Sequence, residues 1–464
     1  MTRLTILHTN DLHARLDQLT RIAALAKRLR HEVETSGGYC ALWDAGDAED
    51  TTLFESSLTK GNAVMAMLRG AGYELEALGN ASPLRYGPQC VRDLAAQFGQ
   101  PLVCANMIDP QTHQLVEGLT PYVIRRYGEV NVGVIGLTDA MQGYQAFKLI
   151  MPAPHELVPA LIDEVKTRGA QTIIVLSHCG SRKDQALAQA VPGIDLIIGA
   201  HDHQAIDPPL MVNGTLIAQA GFYGRYLGRL DLDLDPITGR IAAQRGALIP
   251  IGDDLPIDAD TLAAIDQQRA RVRALTTRVI GWTTTPLEVA HDRPSPAGQL
   301  VADALLERLQ TDIAIAFSGH WTTSLPAGEI TFGALYAANR STANPGRALL
   351  TGERILHLLR QAMQPHNRSR APQGMRGVPI GWPNVAGLTL TFDSALPDGF
   401  AAFVDNQPLQ AERIYRVAPT DLEFSDFVGY LNLTDDEVDY EVPTIVPEVI
   451  EGYIAAHSPL TASG

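Results

Sequence analysis

Cysteine is scarce in this chain: four residues (Cys40, Cys90, Cys104 and Cys179) in 464, with no C-x-x-C among them. That argues against a disulfide scaffold and against a thiolate zinc site, and leaves small core residues in a reducing compartment. Long hydrophobic runs are missing too, since no apolar stretch approaches the roughly 18 residues that a membrane span needs. Basic charge is in deficit, with 36 Lys+Arg against 52 Asp+Glu and a net charge of −16. A chain this acidic lacks the footprint for nucleic acid or an anionic membrane, so neither is expected as a partner. An anionic substrate must then be drawn in locally, by a metal or an arginine cluster. The opening, Met1-Thr-Arg-Leu-Thr-Ile-Leu-His8, shows no apolar leader. The expected location is the cytoplasm, or the periplasm or exterior if a leader has been removed.

What is present is a layered pattern. Short apolar runs (Leu4–His8, Cys40–Trp43, Leu102–Ala105, Val132–Leu137, Thr172–Leu176, Ile194–Ile198) alternate with segments whose apolar residues fall three and four apart, such as Thr20–Val33, Gly61–Ala71, Pro88–Phe98 and His155–Arg168. This spacing predicts an α/β domain. Strict alternation from Gly228 into the turn around Ile237-Thr-Gly-Arg-Ile predicts a hairpin. A charged helical stretch, acidic at its start and basic at its end, covers 258–278. The expected division is therefore 1–255, a helical linker 256–278, and a second domain 279–464, whose segment Gln364–Pro383 is expected to be an exposed loop.

Five of the strand-like runs end in an Asp, Asn or His beside a small residue. The sequences are Asn10-Asp11-Leu12-His13, Asp44-Ala45-Gly46-Asp47, Gly79-Asn80, Ser177-His178 and Gly199-Ala200-His201-Asp202-His203. Sites in open α/β sheets gather beyond the carboxyl ends of the strands, so these loops should converge. Singly, each is ordinary turn chemistry. Jointly, imidazoles and carboxylates without a cysteine cluster favour ions such as Mn, Zn or Fe. Seven ligands exceed one four-coordinate ion and suit two ions sharing a carboxylate, an arrangement that activates water and clamps a phosphoryl oxygen.

This order of motifs resembles the calcineurin-like metallophosphoesterases, and more narrowly their 5′-nucleotidase branch. Leu7-His-Thr-Asn-Asp-Leu-His13, Val132-Gly-Val-Ile-Gly-Leu-Thr138, Val191–Gly199, Leu325-Pro-Ala-Gly-Glu-Ile-Thr331 and Tyr415–Ala418 all follow that branch. The resemblance implies a four-layer αββα domain followed by a second α/β substrate-specificity domain. It implies two divalent metal ions, one held by Asp11, His13, Asp47 and His203, the other by Asp47, Asn80, His178 and His201. The implied reaction is in-line attack of a metal-bridging hydroxide on a phosphoester of a small phosphorylated, nucleotide-like substrate.

The chain departs from the family in two places. After Gly-Asn the branch carries a histidine oriented by an aspartate; here Ala81 and Leu84 fall in that stretch, Gly79-Asn80-Ala81-Ser82-Pro83-Leu84-Arg85-Tyr86-Gly87. Arg85 is a candidate replacement, with a solvated surface arginine as the ordinary alternative. In the second half Thr322 stands where the branch has a phosphate-gripping arginine. Candidate substrate contacts there are His320, Trp321, Arg340, Trp382, Phe424 and Phe427; Arg347 and Arg376 are weaker ones, and core packing is the default for Phe424 and Phe427. His8 is expected to be buried and hydrogen-bonded, and Asp44 and Asp202 to orient imidazoles. Two alternatives stay open: the same fold acting on a phosphodiester, pyrophosphate or sulfur ester, and a metal-bearing binding or scaffold protein with little turnover. The oligomeric state is not read from the sequence.

Overall fold

In the computed structural model, residues 1–50, 53–371, 378–396, 398–425, 428–431, 433 and 437–461 are described. The chain divides into two compact units, Met1–Val272 and Arg273–Gly464, and the division falls inside the helix Ala259–Thr276.

Among the described residues the first unit is built on twelve strands: β1 (Thr2–Thr9), β2 (Tyr39–Asp44), β3 (Leu75–Ala77), β4 (Leu102–Val103), β5 (Tyr122–Tyr127), β6 (Val130–Thr138), β7 (Thr172–His178), β8 (Leu196–Ile198), β9 (Leu210–Val212), β10 (Thr215–Ala218), β11 (Tyr226–Leu234) and β12 (Ile241–Pro250). They form two six-stranded sheets, ordered β12-β11-β1-β2-β3-β4 and β5-β6-β7-β8-β10-β9. Strand periodicity sorts the side chains between layers. Leu4 and Ile6 of β1 meet Val132 and Val134 of β6 in a core between the sheets, whereas Leu7 points the other way, toward the helices Leu16–Thr35, Asn62–Gly70 and Cys90–Phe98. On the far face, Ile135 and Leu137 pack against Pro154–Thr167 and Ser181–Ala190. Four layers, α/β/β/α, follow.

Helix Leu16–Thr35 shows why the pattern is binding. Leu19, Ile22, Ala26, Leu29 and Val33 recur three and four apart and all are buried. Each such leucine or isoleucine contributes about 1.5–3 kcal/mol by leaving water.

The second unit has a five-stranded mixed sheet, in spatial order Pro383–Ala386, Ile313–Phe317, Ile414–Ala418, Gly346–Thr351 and Val438–Tyr440. Helices Pro296–Leu309 and Val446–His457 cover one face, and Gly352–Ala362 lies in the core on the other. The segment expected as an exposed loop is partly ordered and partly core. It contains the helical turn Pro365–Arg368, and Ile380 is fully buried beside Phe317 and Tyr430; 372–377 lie outside the described residues. Its glycines and prolines signalled a turn, and one apolar residue was enough to draw its end inward. Among the described residues no helix is long and apolar enough to cross a membrane.

His8 departs from expectation. It sits in β1 opposite Gly228, whose missing Cβ leaves room for the ring, and its Nδ1 finds no partner. Burial pushes its pKa from 6.5 down to about 4. A histidine kept neutral in the fold but free to protonate when unfolded removes stability as pH falls from about 6.5 to about 4, by about 3 kcal/mol in full. His8→Leu should therefore flatten the stability-against-pH curve of the chelator-treated protein in that window, measured by urea unfolding. A curve parallel to that of the parent would contradict the assignment.

Candidate metal centre

Each expected ligand lies at or just past the carboxyl end of a strand. Asp11 and His13 follow β1, Asp47 follows β2, Asn80 follows β3, His178 ends β7, and His201 and His203 follow β8. The first three strands are parallel neighbours in one sheet and β7 and β8 are parallel neighbours in the other, so both sheets deliver ligands to the same edge. Backbone bonds lace the loops together: Asp11 N–H donates to Gly46 O (2.9 Å), His13 N–H to Asp47 O (3.0 Å) and His201 N–H to Asp11 Oδ2 (2.9 Å). Five ligands (Asp11, His13, Asp47, His201 and His203) have positive φ, a conformation rare outside glycine. Such outliers mark sites where surrounding structure fixes a functional geometry.

Two groups of potential ligand atoms result, Asp11 with His13 and His203, and Asp11 with Asp47 and His178, each with all its atoms within 4.8 Å of one another. His13 Nε2 and His203 Nε2 stand 3.2 Å apart, and lie 3.7 and 3.4 Å from Asp11 Oδ1. His178 Nδ1–H donates to Ala45 O (2.9 Å), which turns the Nε2 lone pair toward Asp47 Oδ2 at 3.3 Å. Asp11 Oδ1, Asn80 Oδ1 and His178 Nε2 are buried without a hydrogen-bond partner. Buried acceptors left without a partner cost free energy unless a cation or proton satisfies them. The donor set of carboxylate, amide oxygen and imidazole suits divalent Mn, Zn or Fe, so these residues fit the ions that the resemblance implies. His201 stands apart: its ring is 5.2 Å from that of His178, and its Nε2 faces Asp139 Oδ2 at 3.6 Å.

The electrostatics carry the same signature. Burial alone would push Asp47 up and His178 down. Their mutual attraction wins, holding Asp47 down at about 2 and raising His178 to about 10. Close to them lie three buried carboxyl groups, of which the sequence pattern marks only Asp44. Desolvation pushes Asp44 and Glu49 up to about 7, and Glu76, whose Oε2 has no partner, well above the ordinary carboxylate range. Close approach depends on two glycines. A Cβ on Gly79 would lie 2.1 Å from Asp47 Oδ1, and one on Gly46 would lie 2.6 Å from His178 Nδ1.

Other candidates fall differently. Among the described residues Asp44 and Asp202 bond no imidazole. Asp44 accepts from Gly46 N–H (2.8 Å) and the Thr9 hydroxyl, and Asp202 from Ser181 N–H (3.0 Å) and Gln219 Nε2 (2.9 Å), so both fix loops rather than rings. Arg85 is half-buried on helix Ala81–Tyr86 with its Nε shielded from solvent, and so is not a freely solvated arginine. Leu84, in place of the orienting aspartate, packs by Gly143.

In the second unit His320 and Trp321 are buried, contrary to the expectation of substrate contacts. His320 Nδ1 bonds Ser341 Oγ (2.7 Å) and its Nε2 bonds Glu423 Oε1 (3.0 Å), while Trp321 lies in the apolar core. The polar network claims both nitrogens of His320, whereas Trp321 Nε1 is buried without a hydrogen-bond partner among the described residues. Phe424 is likewise core. Trp382 is half-buried, with the Arg368 guanidinium 5.0 Å over its ring and Phe392 at 5.9 Å. Arg340 and Arg347 are exposed, and Phe427 and Arg376 lie outside the described residues. Residues that no motif announced are Asp139, which pairs with Lys183 as well as facing His201, and the pair Phe222–Tyr223. Phe222 stacks on His203 (4.8 Å, 13°), and Tyr223 meets His13 edge-on (5.6 Å). The one available signal was Gly221-x-x-Gly224.

Comparison with known proteins finds relatives over most of the chain. A family model described as the 5′-nucleotidase C-terminal domain matches residues 276–434. An uncharacterised metallophosphoesterase of Bacillus subtilis (strain 168) is 25% identical over 427 residues, covering 90% of this chain and 92% of its own length. The 5′-nucleotidase of Bos taurus is 26% identical over 344 residues, 65% of this chain, which spans 59% of that longer protein. Among solved structures, an NAD nucleotidase of Haemophilus influenzae shares the fold across 99% of this chain and 97% of its own, with a TM-score of 0.60 at 19% identity.

Proposed function

This chain being a two-domain homologue of the 5′-nucleotidases and metallophosphoesterases, we propose that it hydrolyses a phosphoester of a small molecule with two divalent ions held by Asp11, His13, Asp47, Asn80, His178, His201 and His203. The observation that carries this reading is the set of buried acceptors at the strand ends, Asp11 Oδ1, Asn80 Oδ1 and His178 Nε2, which have no hydrogen-bond partner among the described residues and sit in loops laced together by backbone bonds.

Ions bound there would supply Lewis acidity, withdrawing charge from phosphate oxygens and making water a nucleophile near neutral pH. The chain supplies the geometry. Asp11 stands in both ligand groups, so its two oxygens tie the loops after β1 and β8 together. Ala45 O holds the His178 tautomer that leaves Nε2 free to bind. Ala81 N–H, donating to Asp47 Oδ1 (2.8 Å), and Gly79, open beside it, fix that carboxylate.

No side chain next to Asn80 donates a proton, since the position after it is Ala81 and the next turn presents Leu84. The leaving group must then depart without help from that quarter. A general acid is worth about 10²–10⁴-fold. Chelator-stripped protein reloaded with Mn, Zn or Fe should therefore release phosphate from p-nitrophenyl phosphate at least ~10²-fold faster than from a simple alkyl phosphate, and Ala81→His should narrow that gap. Absence of metal-dependent turnover on both esters, with the ions bound, would overturn the reading and leave a binding role. The same feature favours, as a second reading, a substrate whose leaving group is stable as an anion, such as a pyrophosphate or a sulfur ester.

A further inference from the structure

We propose that Arg15 and Arg225 form a guanidinium rim beside the metal centre that grips a second phosphate, so that the preferred substrate carries two, as a diphosphate or bisphosphate. This rests on the hydrolase reading above and names its substrate class.

Some arginines of the first unit are held by a carboxylate, among them Arg21, Arg30, Arg92, Arg168, Arg229 and Arg269. Arg15 and Arg225, both exposed, are not: among the described residues neither guanidinium makes an ion pair or a hydrogen bond. Each instead lies over an aromatic face, Arg15 Cζ at 4.3 Å from the Tyr223 ring centre and Arg225 Cζ at 4.2 Å from that of Phe222. Cation–π attraction orients a guanidinium while using none of its N–H donors, so the full fork of both remains open to an acceptor.

Both platforms abut the ligands. Phe222 is stacked on His203 and Tyr223 is set edge-on to His13, so a single ring separates each arginine from a metal ligand. The loop that holds the rings is stiff. Tyr223 adopts a φ of +58° and donates its N–H to Asp11 O (2.8 Å), and a Cβ on Gly224 would meet Gln18 at 2.8 Å. Arg15 is anchored by its backbone as well, since its carbonyl accepts the Leu19 N–H at the start of helix Leu16–Thr35 (3.0 Å). Two pre-oriented, unpaired forks next to a site that fits phosphate-binding ions match a ligand with charge beyond the group being cleaved. Guanidinium pairs phosphate bidentately, and a net charge of −16 makes such local cations the means of holding an anion.

The test compares adenosine monophosphate and adenosine diphosphate, which differ by one phosphate, on the full metal-loaded chain and on the double variants Arg15→Gln/Arg225→Gln and Arg15→Lys/Arg225→Lys. The ratio of kcat/KM for the diphosphate to that for the monophosphate should fall at least tenfold in the glutamine variant, mainly through KM, and recover in part in the lysine variant. A ratio unchanged within twofold overturns the rim, whatever the absolute rates do. If the parent turns over neither nucleotide, calorimetric titration with inorganic pyrophosphate judges the rim separately. Binding at least tenfold weaker in the glutamine variant supports it although the hydrolase reading has failed, and equal affinity rejects it.

Discussion

Asp47→Asn should reduce metal-dependent phosphate release by ~10³-fold or more, equivalent to about 4 kcal/mol of transition-state stabilisation, and should lower the metal content per chain. Asp47 is buried, belongs to one ligand group and faces the His178 lone pair at 3.3 Å. The substitution keeps the shape and replaces a charged oxygen with an amide, so the loop bond from Ala81 N–H can persist while the negative charge that holds a cation is gone. Phosphate release and elemental analysis of the same preparation check both halves. A variant that keeps full metal and full turnover would remove Asp47 from the centre. One that keeps the metal but loses turnover would make it a reaction partner rather than an anchor.

The second large effect is expected from the smallest substitution. Gly79→Ala places a methyl 2.1 Å from Asp47 Oδ1 and 2.2 Å from Asp47 N, a backbone atom that cannot swing aside. The loop after β2 must shift, and with it the bonds from Asp11 and His13 to Gly46 and Asp47. We expect fewer than two metal ions per chain, loss of turnover, and destabilisation by about 3 kcal/mol, the upper part of the range for overpacked sites. Gly452→Ala is the control. It lies in helix Val446–His457 with nothing within 4 Å of the new methyl, and should stabilise by roughly 0.5–1 kcal/mol. Unfolding curves and metal analysis of the pair decide it; equal behaviour of the two would mean that the Gly79 gap is not needed.

Much of this architecture is legible in the chain because strand periodicity and strand ends are local signals. The run before Asp11 and the run before His201 each end where an apolar stretch gives way to small and polar residues, and the strands end there too. What was not legible depends on partners distant in sequence. Nothing around Asp139 announces that it faces His201, or around Phe222 that it lies against His203. His320 and Trp321 mislead in the opposite sense. Their place in a loop beside altered family motifs suggested a binding surface, but Glu423 and Ser341, 103 and 21 residues away, claim both nitrogens of His320, and apolar neighbours enclose Trp321. Asp44 and Asp202 were read by proximity to ligands, and proximity along the chain did not decide which group each would bond.

The positive φ angles at Asp11, His13, Asp47, His201 and His203 carry a thermal consequence. Conformations of this kind cost of order 1–3 kcal/mol each, so together they rival the whole stability of an ordinary domain. The sheets beneath do not share this tension: Leu4, Ile6, Val132 and Val134 sit in relaxed, fully buried layers. Strain of this size is tolerable only while every lacing bond between the loops holds, and the ions would be part of that lacing. The centre is thus the fuse of the first unit, the place where warming or a weakening change elsewhere is felt first, as relaxed loops and released ions over an intact β-sandwich.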